Sequence, residues 1–301
     1  MQETKKYFVI LAVVTGMVIL FPSLPRRHYE VSGAFVSSSG LPLAPDRAVE
    51  TPEARDQVTP LEIGAAAAWV KDMDSGTVLF DKQSRKRLPV ASLTKLMTAL
   101  VAKEHLAMDD KVRIAASDLK VPQAKAGFVA GEELPARDLL AAMLVASAND
   151  AAMALARAAA GNVPDFVASM NQKAASLGMA ETVFRNPVGL DEAGHFSTAR
   201  DLGLLTEEFL RHPELVRMSG RKTQTIVSAD GKHKHSLVTT NKLLQKDGVV
   251  GLKTGYTTEA KGNLILLLEK PLIYSIVLGS DNREAESEQV LAWIRENFQW
   301  R

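Results

Sequence analysis

The spacing of apolar and polar positions changes character along the chain. Tyr7 to Phe21 is an uncharged run broken only by Thr15 and Gly16, and Lys5 and Lys6 precede it. A basic flank followed by an apolar core reads as an export signal, short of the roughly 20 residues that a bilayer-spanning helix needs. Residues 1–27 are therefore read as a signal peptide or an N-terminal membrane anchor. The anchor is favoured: Pro22, Leu24 and Pro25 extend the span, Arg26 and Arg27 reach the far headgroups, and the nearest small-x-small cleavage site, Ser32-Gly33-Ala34, lies well beyond. Residues 28–60 contain Ser37, Ser38, Ser39, Gly40, Pro42, Pro45, Pro52 and Pro60 without an apolar period, and read as a flexible linker.

From residue 61 the pattern predicts ordered elements. Ala65 to Lys71 and Thr77 to Phe80 flank the turn residues Asp74-Ser75-Gly76, a hairpin signal. Leu93, Leu96, Met97, Leu100 and Val101 recur at helical spacing, as do Leu139, Leu140, Met143 and Leu144. A helix from Ala151 to Ala160 ends at Gly161. Another starts at Ser197-Thr198, with Asp201 at capping-box spacing. After residue 222 the period returns to that of strands: Thr225 to Val227 and His235 to Val238 around Asp230-Gly231, then Val249 to Tyr256, Leu264 to Leu268 and Tyr274 to Leu278, closed by a helix from Gln289 to Phe298. Strands at both ends with helices between predict an α/β (α+β) fold. One sheet flanked by helices is built from both termini of a domain spanning 61–301, with a mostly helical lobe at about 105–222 inserted into it. A site is expected in the cleft between sheet and lobe.

Composition narrows the chemistry. The 301 residues hold 36 Lys+Arg against 35 Asp+Glu, a formal charge of +1, which offers no field to hold a phosphate backbone. No nucleic-acid partner is expected. The absence of cysteine excludes disulfide scaffolds, Cys-ligated zinc, iron–sulfur clusters and thiol nucleophiles. Covalent catalysis would need another nucleophile, and the sequence suggests no cofactor and no metal.

Three short patterns supply one: Ser92-Leu93-Thr94-Lys95, Ser147-Ala148-Asn149 and Lys253-Thr254-Gly255. S-x-x-K, S-x-N and K-T-G in this order are the signature of penicillin-binding proteins and class A β-lactamases. Singly they are weak, since S-x-x-K recurs at Ser117 to Lys120 and Ser219 to Lys222, and S-x-N at Ser169 to Asn171 and Ser280 to Asn282. Context separates them. Ser92 starts an apolar-periodic helix, so Lys95 one turn later shares its face; Pro122 follows the second copy, and Gly220 interrupts the third. A serine hydroxyl must lose a proton as it attacks, and Lys95 is the candidate base if burial and a second cation, Lys253, lower its pKa. Thr254 and Ser147 would donate hydrogen bonds to the substrate and Asn149 would hold its amide. The N–H groups of Ser92 and Tyr256 would form an oxyanion hole, and Gly255 would let the substrate approach the strand.

Longer stretches carry a resemblance. Pro89 to Ala99, Ser147-Ala148-Asn149-Asp150-Ala151-Ala152, Asn186-Pro187-Val188-Gly189-Leu190-Asp191, Ser197-Thr198-Ala199-Arg200-Asp201 and Gly251 to Thr257 resemble the D-alanyl-D-alanine carboxypeptidase family of low-molecular-mass penicillin-binding proteins, over about Ala65 to Trp293. The resemblance implies a β-lactamase/transpeptidase-like fold with an antiparallel sheet. It further implies removal of the terminal D-alanine from peptidoglycan stem peptides through an acyl-enzyme on Ser92, with Lys253 on the terminal carboxylate, and acylation by β-lactam antibiotics. Expected partners are thus peptidoglycan, β-lactams and, through the N-terminal segment, the membrane of a bacterium, with the enzyme exported. Many members carry a second, β-rich domain and a C-terminal amphipathic helix, for which a chain ending at Arg301 leaves no room. Short members include D,D-endopeptidases, so that cleavage of crosslinks stands as the alternative, and a non-turnover penicillin sensor as another. A β-lactamase is disfavoured because Asn186 to Asp191 contains no glutamate.

Outside the motifs, His233 and His235 alternate between Lys232 and Lys234 and are read as an exposed hairpin rather than a metal site. His195 is read as structural. Arg283 resembles the family's arginine after the last strand and either borders the cleft or serves the surface.

Overall fold

The computed structural model describes residues 50–55 and 57–301. The N-terminal apolar run and most of the expected linker lie outside them. No helix among the described residues is long and apolar enough to cross a membrane.

The chain enters through β1 (Pro52–Ala54) and forms the expected hairpin of β2 (Ala67–Asp72) and β3 (Val78–Lys82). A 3-10 turn, Ala91–Leu93, runs into α1 (Thr94–His105). The lobe follows: the short antiparallel pair β4 (Lys111–Arg113) and β5 (Glu133–Pro135), then α2 (Ala136–Val145), α3 (Asn149–Ala160), α4 (Val163–Ser176), α5 (Ala199–Leu210) and α6 (Pro213–Ser219). A separate hairpin, β6 (Thr223–Val227) and β7 (Lys234–Val238), precedes the long strands β8 (Val249–Thr257), β9 (Lys261–Glu269) and β10 (Leu272–Ser280). The chain closes with α7 (Arg283–Asn297) and β11 (Phe298–Trp300).

Five strands make the central antiparallel sheet in the order β3-β2-β10-β9-β8. Strands from both ends of the domain thus share one sheet, and β8, which carries the K-T-G pattern, is an edge. The unbroken apolar run of β9 follows from burial on both faces. Leu264, Leu266 and Leu268 pack with Val290, Leu291, Trp293 and Ile294 of α7, while Ile265 and Leu267 join the core of the helical lobe. Each such leucine removed from water contributes about 1.5–3 kcal/mol. α1 lies in the middle of that second core and is buried from Thr94 to Ala102, so it is apolar almost all round.

Local signals end the helices as expected. Gly161 takes φ 79° after α3, a left-handed conformation that costs glycine little. Thr198 caps α5 by accepting from the Asp201 N–H at 3.0 Å. The expected box is only half made, because the Asp201 carboxylate accepts instead from Glu181 N–H at 2.8 Å and the Thr182 hydroxyl at 2.7 Å.

Residues before 61 also contact the domain. β1 pairs antiparallel with β11, Pro52 opposite Trp300, and Thr59 is tied to α7 by its N–H on Asn297 Oδ1 and by its carbonyl, which accepts from Trp293 Nε1, both at 2.6 Å. Pro52–Ala54 and Thr59 are therefore tied to the fold, in a stretch whose proline spacing reads as a linker.

Candidate active site

Ser92 lies in the 3-10 turn before α1. The preceding Ala91 has φ 47°, and Ser147, in the joint between α2 and α3, has φ 59°. Left-handed backbone at a residue with a Cβ costs roughly 1–2 kcal/mol and persists where surrounding contacts impose it. One such contact is visible. A Cβ on Gly255 of β8 would stand 3.0 Å from Ser92 N and from Val90 O, so the edge strand and the Ser92 turn touch backbone to backbone. Gly255 is thus required by the protein's own turn.

One helical turn on, Lys95 is fully buried and its Nζ lies 2.8 Å from Ser92 Oγ, 2.7 Å from Asn149 Oδ1 and 2.8 Å from the Val188 carbonyl. Three acceptors match the three protons of an ammonium. They equally fit a neutral amine that keeps two N–H bonds on Asn149 and Val188 and turns its lone pair to the Ser92 hydroxyl. Electrostatics favours the second arrangement: burial, then the Lys253 charge, hold Lys95 well below the ordinary lysine range, against an opposing pull from Asp150.

Lys253 reaches across from β8. Its Nζ, also buried, donates to Ser147 Oγ at 2.9 Å and to the Thr254 carbonyl at 3.2 Å. Burial, then the charge of Arg283, lower its pKa to about 7. Arg283, the first residue of α7, donates through Nη1 to the Gly255 carbonyl at 2.7 Å, so it braces the strand from behind. Thr254 shares a 2.5 Å hydroxyl contact with Thr240, and Tyr256 stands 68% exposed beside them.

The structure brings together Ser92, Lys95, Ser147, Asn149, Lys253, Thr254 and Gly255. Asn149 differs from its expected use, since its Oδ1 accepts from Lys95 and its Nδ2 donates to the Pro122 carbonyl at 2.8 Å. It therefore orients the lysine, and its Nδ2 keeps a second N–H beyond the one given to Pro122. The other copies of the short motifs are elsewhere: Ser117 and Lys120 are exposed around a 3-10 turn, and Ser219 is buried with its hydroxyl on Val216 O while Lys222 is exposed. Glu192 is exposed and accepts from Asn186 Nδ2 at 3.0 Å.

Sequence reasoning quoted the loop at residues 186–191 without giving it a task. Asn186 Oδ1 accepts from the N–H groups of Val188, Gly189 and Leu190, at 3.3, 2.7 and 3.1 Å, and folds the loop so that the Val188 carbonyl meets Lys95. Gly189 has φ 83°, and a Cβ there would fall 1.9 Å from the Ala91 carbonyl. An Asn followed by Pro and Gly is the turn chemistry that signals such a loop.

His195 is structural: Nδ1 accepts from the Arg185 N–H at 3.3 Å, which leaves Nε2 to donate to Thr94 Oγ1 at 3.0 Å. Burial holds its pKa at about 4. The exposed-hairpin reading fails for His235, which is buried against Glu132 and Phe128. No group of three or more His, Asp or Glu side chains among the described residues is placed to hold a metal ion.

A family model described as D-alanyl-D-alanine carboxypeptidase matches residues 53–281. The chain belongs to the D-alanyl-D-alanine carboxypeptidase family. It is similar to D-alanyl-D-alanine carboxypeptidase DacF of Bacillus subtilis, 36% identical over 75% of this chain and 60% of that one. The chain thus spans about three-fifths of that carboxypeptidase's length. It is 33% identical to a D-alanyl-D-alanine endopeptidase of Pseudomonas aeruginosa over 77% of this chain and 78% of that one. Among solved structures it resembles the Streptomyces K15 DD-transpeptidase, with a TM-score of 0.74 and 26% identity over 79% of this chain and 100% of the other. The family's transpeptidase-like fold is the antiparallel sheet and helical lobe described above.

Proposed function

We propose that this protein is a serine-type D-Ala-D-Ala carboxypeptidase that removes the terminal D-alanine from peptidoglycan stem peptides. The observation that carries the reading is the buried Lys95 Nζ 2.8 Å from Ser92 Oγ. Neutral Lys95 takes the Ser92 proton as Oγ bonds to the carbonyl carbon of the penultimate D-alanine. The N–H groups of Ser92 and Tyr256 stabilise the oxyanion, at the contact of turn and edge strand. As the C–N bond breaks, the proton passes through the Ser147 hydroxyl to the leaving amine, and water then hydrolyses the acyl ester. Lys253 and Thr254 hold the terminal carboxylate, whose arrival favours the charged form of Lys253. β-Lactams acylate Ser92 by the same attack, with no leaving group released from the ring.

Cleavage of crosslinks by a D,D-endopeptidase is the second reading. Its support is that the Pseudomonas endopeptidase is matched over 78% of its length, against 60% for the Bacillus carboxypeptidase. Purified protein assayed on linear pentapeptide and on crosslinked muropeptide, with Ser92→Ala as control, separates the two. Release of D-alanine from pentapeptide supports the first reading, and cleavage of the crosslink alone supports the second. Stable penicillin labelling with neither activity leaves a non-turnover sensor. We place the enzyme outside the bacterial cytoplasm, with residues 1–27 as signal or membrane anchor. The linker then ends near residue 51 and the catalytic domain runs from β1 to β11.

A further inference from the structure

His235 lies on β7, outside the motifs, yet its buried ring meets the lobe through both nitrogens. Nε2 is 2.6 Å from Glu132 Oε1 and Nδ1 is 3.2 Å from the Ala126 carbonyl. Both partners carry oxygens that can accept, so the ring is held from both edges. Glu132 Oε2 accepts from the Val129 N–H at 2.9 Å, and the Phe128 ring stands edge-on to the imidazole at 4.8 Å. All these contacts fall on residues 126–132.

The other end of the same segment meets the candidate site. Asn149 donates its backbone N–H to the Ala124 carbonyl at 2.7 Å and Nδ2 to the Pro122 carbonyl at 2.8 Å. Asp150 accepts from the N–H groups of Ala126 and Gly127 at 3.1 and 3.2 Å. Between Pro122 and Gly131 only Phe128 is buried, and no regular element runs through these residues. The segment is held by Asn149 and Asp150 of α3 at one end, and at the other by His235 of β7 together with backbone bonds between Ile114 and residues 131 and 132.

We propose that His235 is a positioning residue: by clamping residues 126–132 it holds the Pro122 and Ala124 carbonyls where they fix Asn149, and Asn149 fixes Lys95 on Ser92. The inference rests on the serine-peptidase reading. Once the clamp is released, Asn149 leaves Nζ and water reaches Lys95. The desolvation that lowers its pKa then weakens, while Lys253 from β8 and Asp150 from α3 still face it.

The test compares two variants by penicillin acylation and pentapeptide hydrolysis. His235→Phe keeps an aromatic ring against Phe128 and removes both hydrogen bonds. Glu132→Gln keeps every bond: its amide nitrogen donates to Nε2 and its oxygen accepts from Val129. His235→Phe is expected to slow acylation about tenfold or more at nearly unchanged KM. The acidic limb of its pH profile moves to higher pH, a change that general loosening of the fold does not produce. Glu132→Gln stays within about threefold of wild type on the same scale of effects. A wild-type rate and pH limb in His235→Phe, or an equal loss in Glu132→Gln, overturns the proposal. If His235→Phe does not fold, Glu132→Ala takes its place, with the same loss expected and an unchanged rate overturning the proposal. Wild-type protein that penicillin does not acylate at all defeats the serine-peptidase reading itself, and with it this inference; an acylated wild type with an unaffected variant defeats this inference alone.

Discussion

Lys253 Nζ donates to Ser147 Oγ at 2.9 Å and so joins the edge strand of the sheet to the joint between two helices of the lobe. The bond is made by a buried cation whose pKa falls to about 7, chiefly through burial. Folding lowers this pKa from the usual value of about 10.4, so between pH 7 and 10 the unfolded chain binds the extra proton and stability rises with pH. Below pH 7 the full cost of burying the charge, on the order of a few kcal/mol, is present. Lys253→Met is expected to be more stable than wild type at pH 6–7, with the gap closing toward pH 10, as followed by urea denaturation across pH. The same variant lacks the carboxylate anchor proposed above, and its kcat/KM on pentapeptide is expected to fall by about 100-fold or more. A stability gap that is the same at both pH values contradicts the assignment of the titration to Lys253.

Two glycines set the Ser92 turn from opposite sides. Gly189→Ala places a Cβ 1.9 Å from the Ala91 carbonyl at a residue with φ 83°, and backbone at that distance has to move. Overpacking and left-handed strain together predict a loss of about 2–5 kcal/mol by chemical denaturation. Gly255→Ala is milder, with contacts of 3.0 Å to Ser92 N and Val90 O. It is expected to fold but to displace the nucleophile, lowering penicillin acylation by about 10- to 100-fold. Normal acylation in Gly255→Ala would remove the argument that this glycine serves the turn.

The parts of the site that were legible in sequence are those where chemistry demands a residue type at a fixed spacing. Lys95 must follow Ser92 by one helical turn to reach it, and the structure shows that reach. The run Leu264 to Leu268 was legible as a strand because it is buried on both faces, which leaves an unbroken apolar signature. What the sequence hid depends on partners distant along the chain. His235 sits among lysines and looks exposed; it is buried only because residues 126–132, which have no period of their own, fold over it. β1 and β11 are each three residues long, and Pro52 in the first points away from a strand, so their pairing leaves no pattern. The hold of Asn149 on Lys95 was hidden because its orientation depends on Pro122 and Lys95, neither of which spacing can place.

The contacts made by residues before 61 have a measurable consequence. A chain begun at residue 61 loses the β1–β11 pairing and the three Thr59 hydrogen bonds with α7, including the bond that satisfies Trp293 Nε1. An unpaired buried donor costs about 1–3 kcal/mol. A chain begun at residue 50 is therefore expected to exceed one begun at 61 in stability by at least that much, read from midpoints in urea at equal m-value. Equal midpoints would show that the contacts of Pro52–Ala54 and Thr59 add nothing to the fold.

His195 supplies an acid-range prediction with the same sign as Lys253. It is buried neutral behind the Ser92 turn, bonded to Thr94 Oγ1, and burial holds its pKa at about 4 against an ordinary value near 6.5. The folded pKa is lowered, so between pH 4 and 6.5 the unfolded chain carries the extra proton and stability falls as pH falls through that window. A shift of this size corresponds to about 3 kcal/mol at most. His195→Gln has no proton to take up, and it keeps an amide that can donate to Thr94 and an oxygen that can accept from Arg185. It is expected to be somewhat less stable than wild type at pH 7.5 but to lose less stability on going to pH 4, so that the two denaturation curves approach or cross. Penicillin acylation measured alongside should follow the folded fraction, because His195 holds the turn from behind and takes no proton from Ser92. If the two proteins keep parallel curves down to pH 4, His195 is not the group whose protonation weakens the turn.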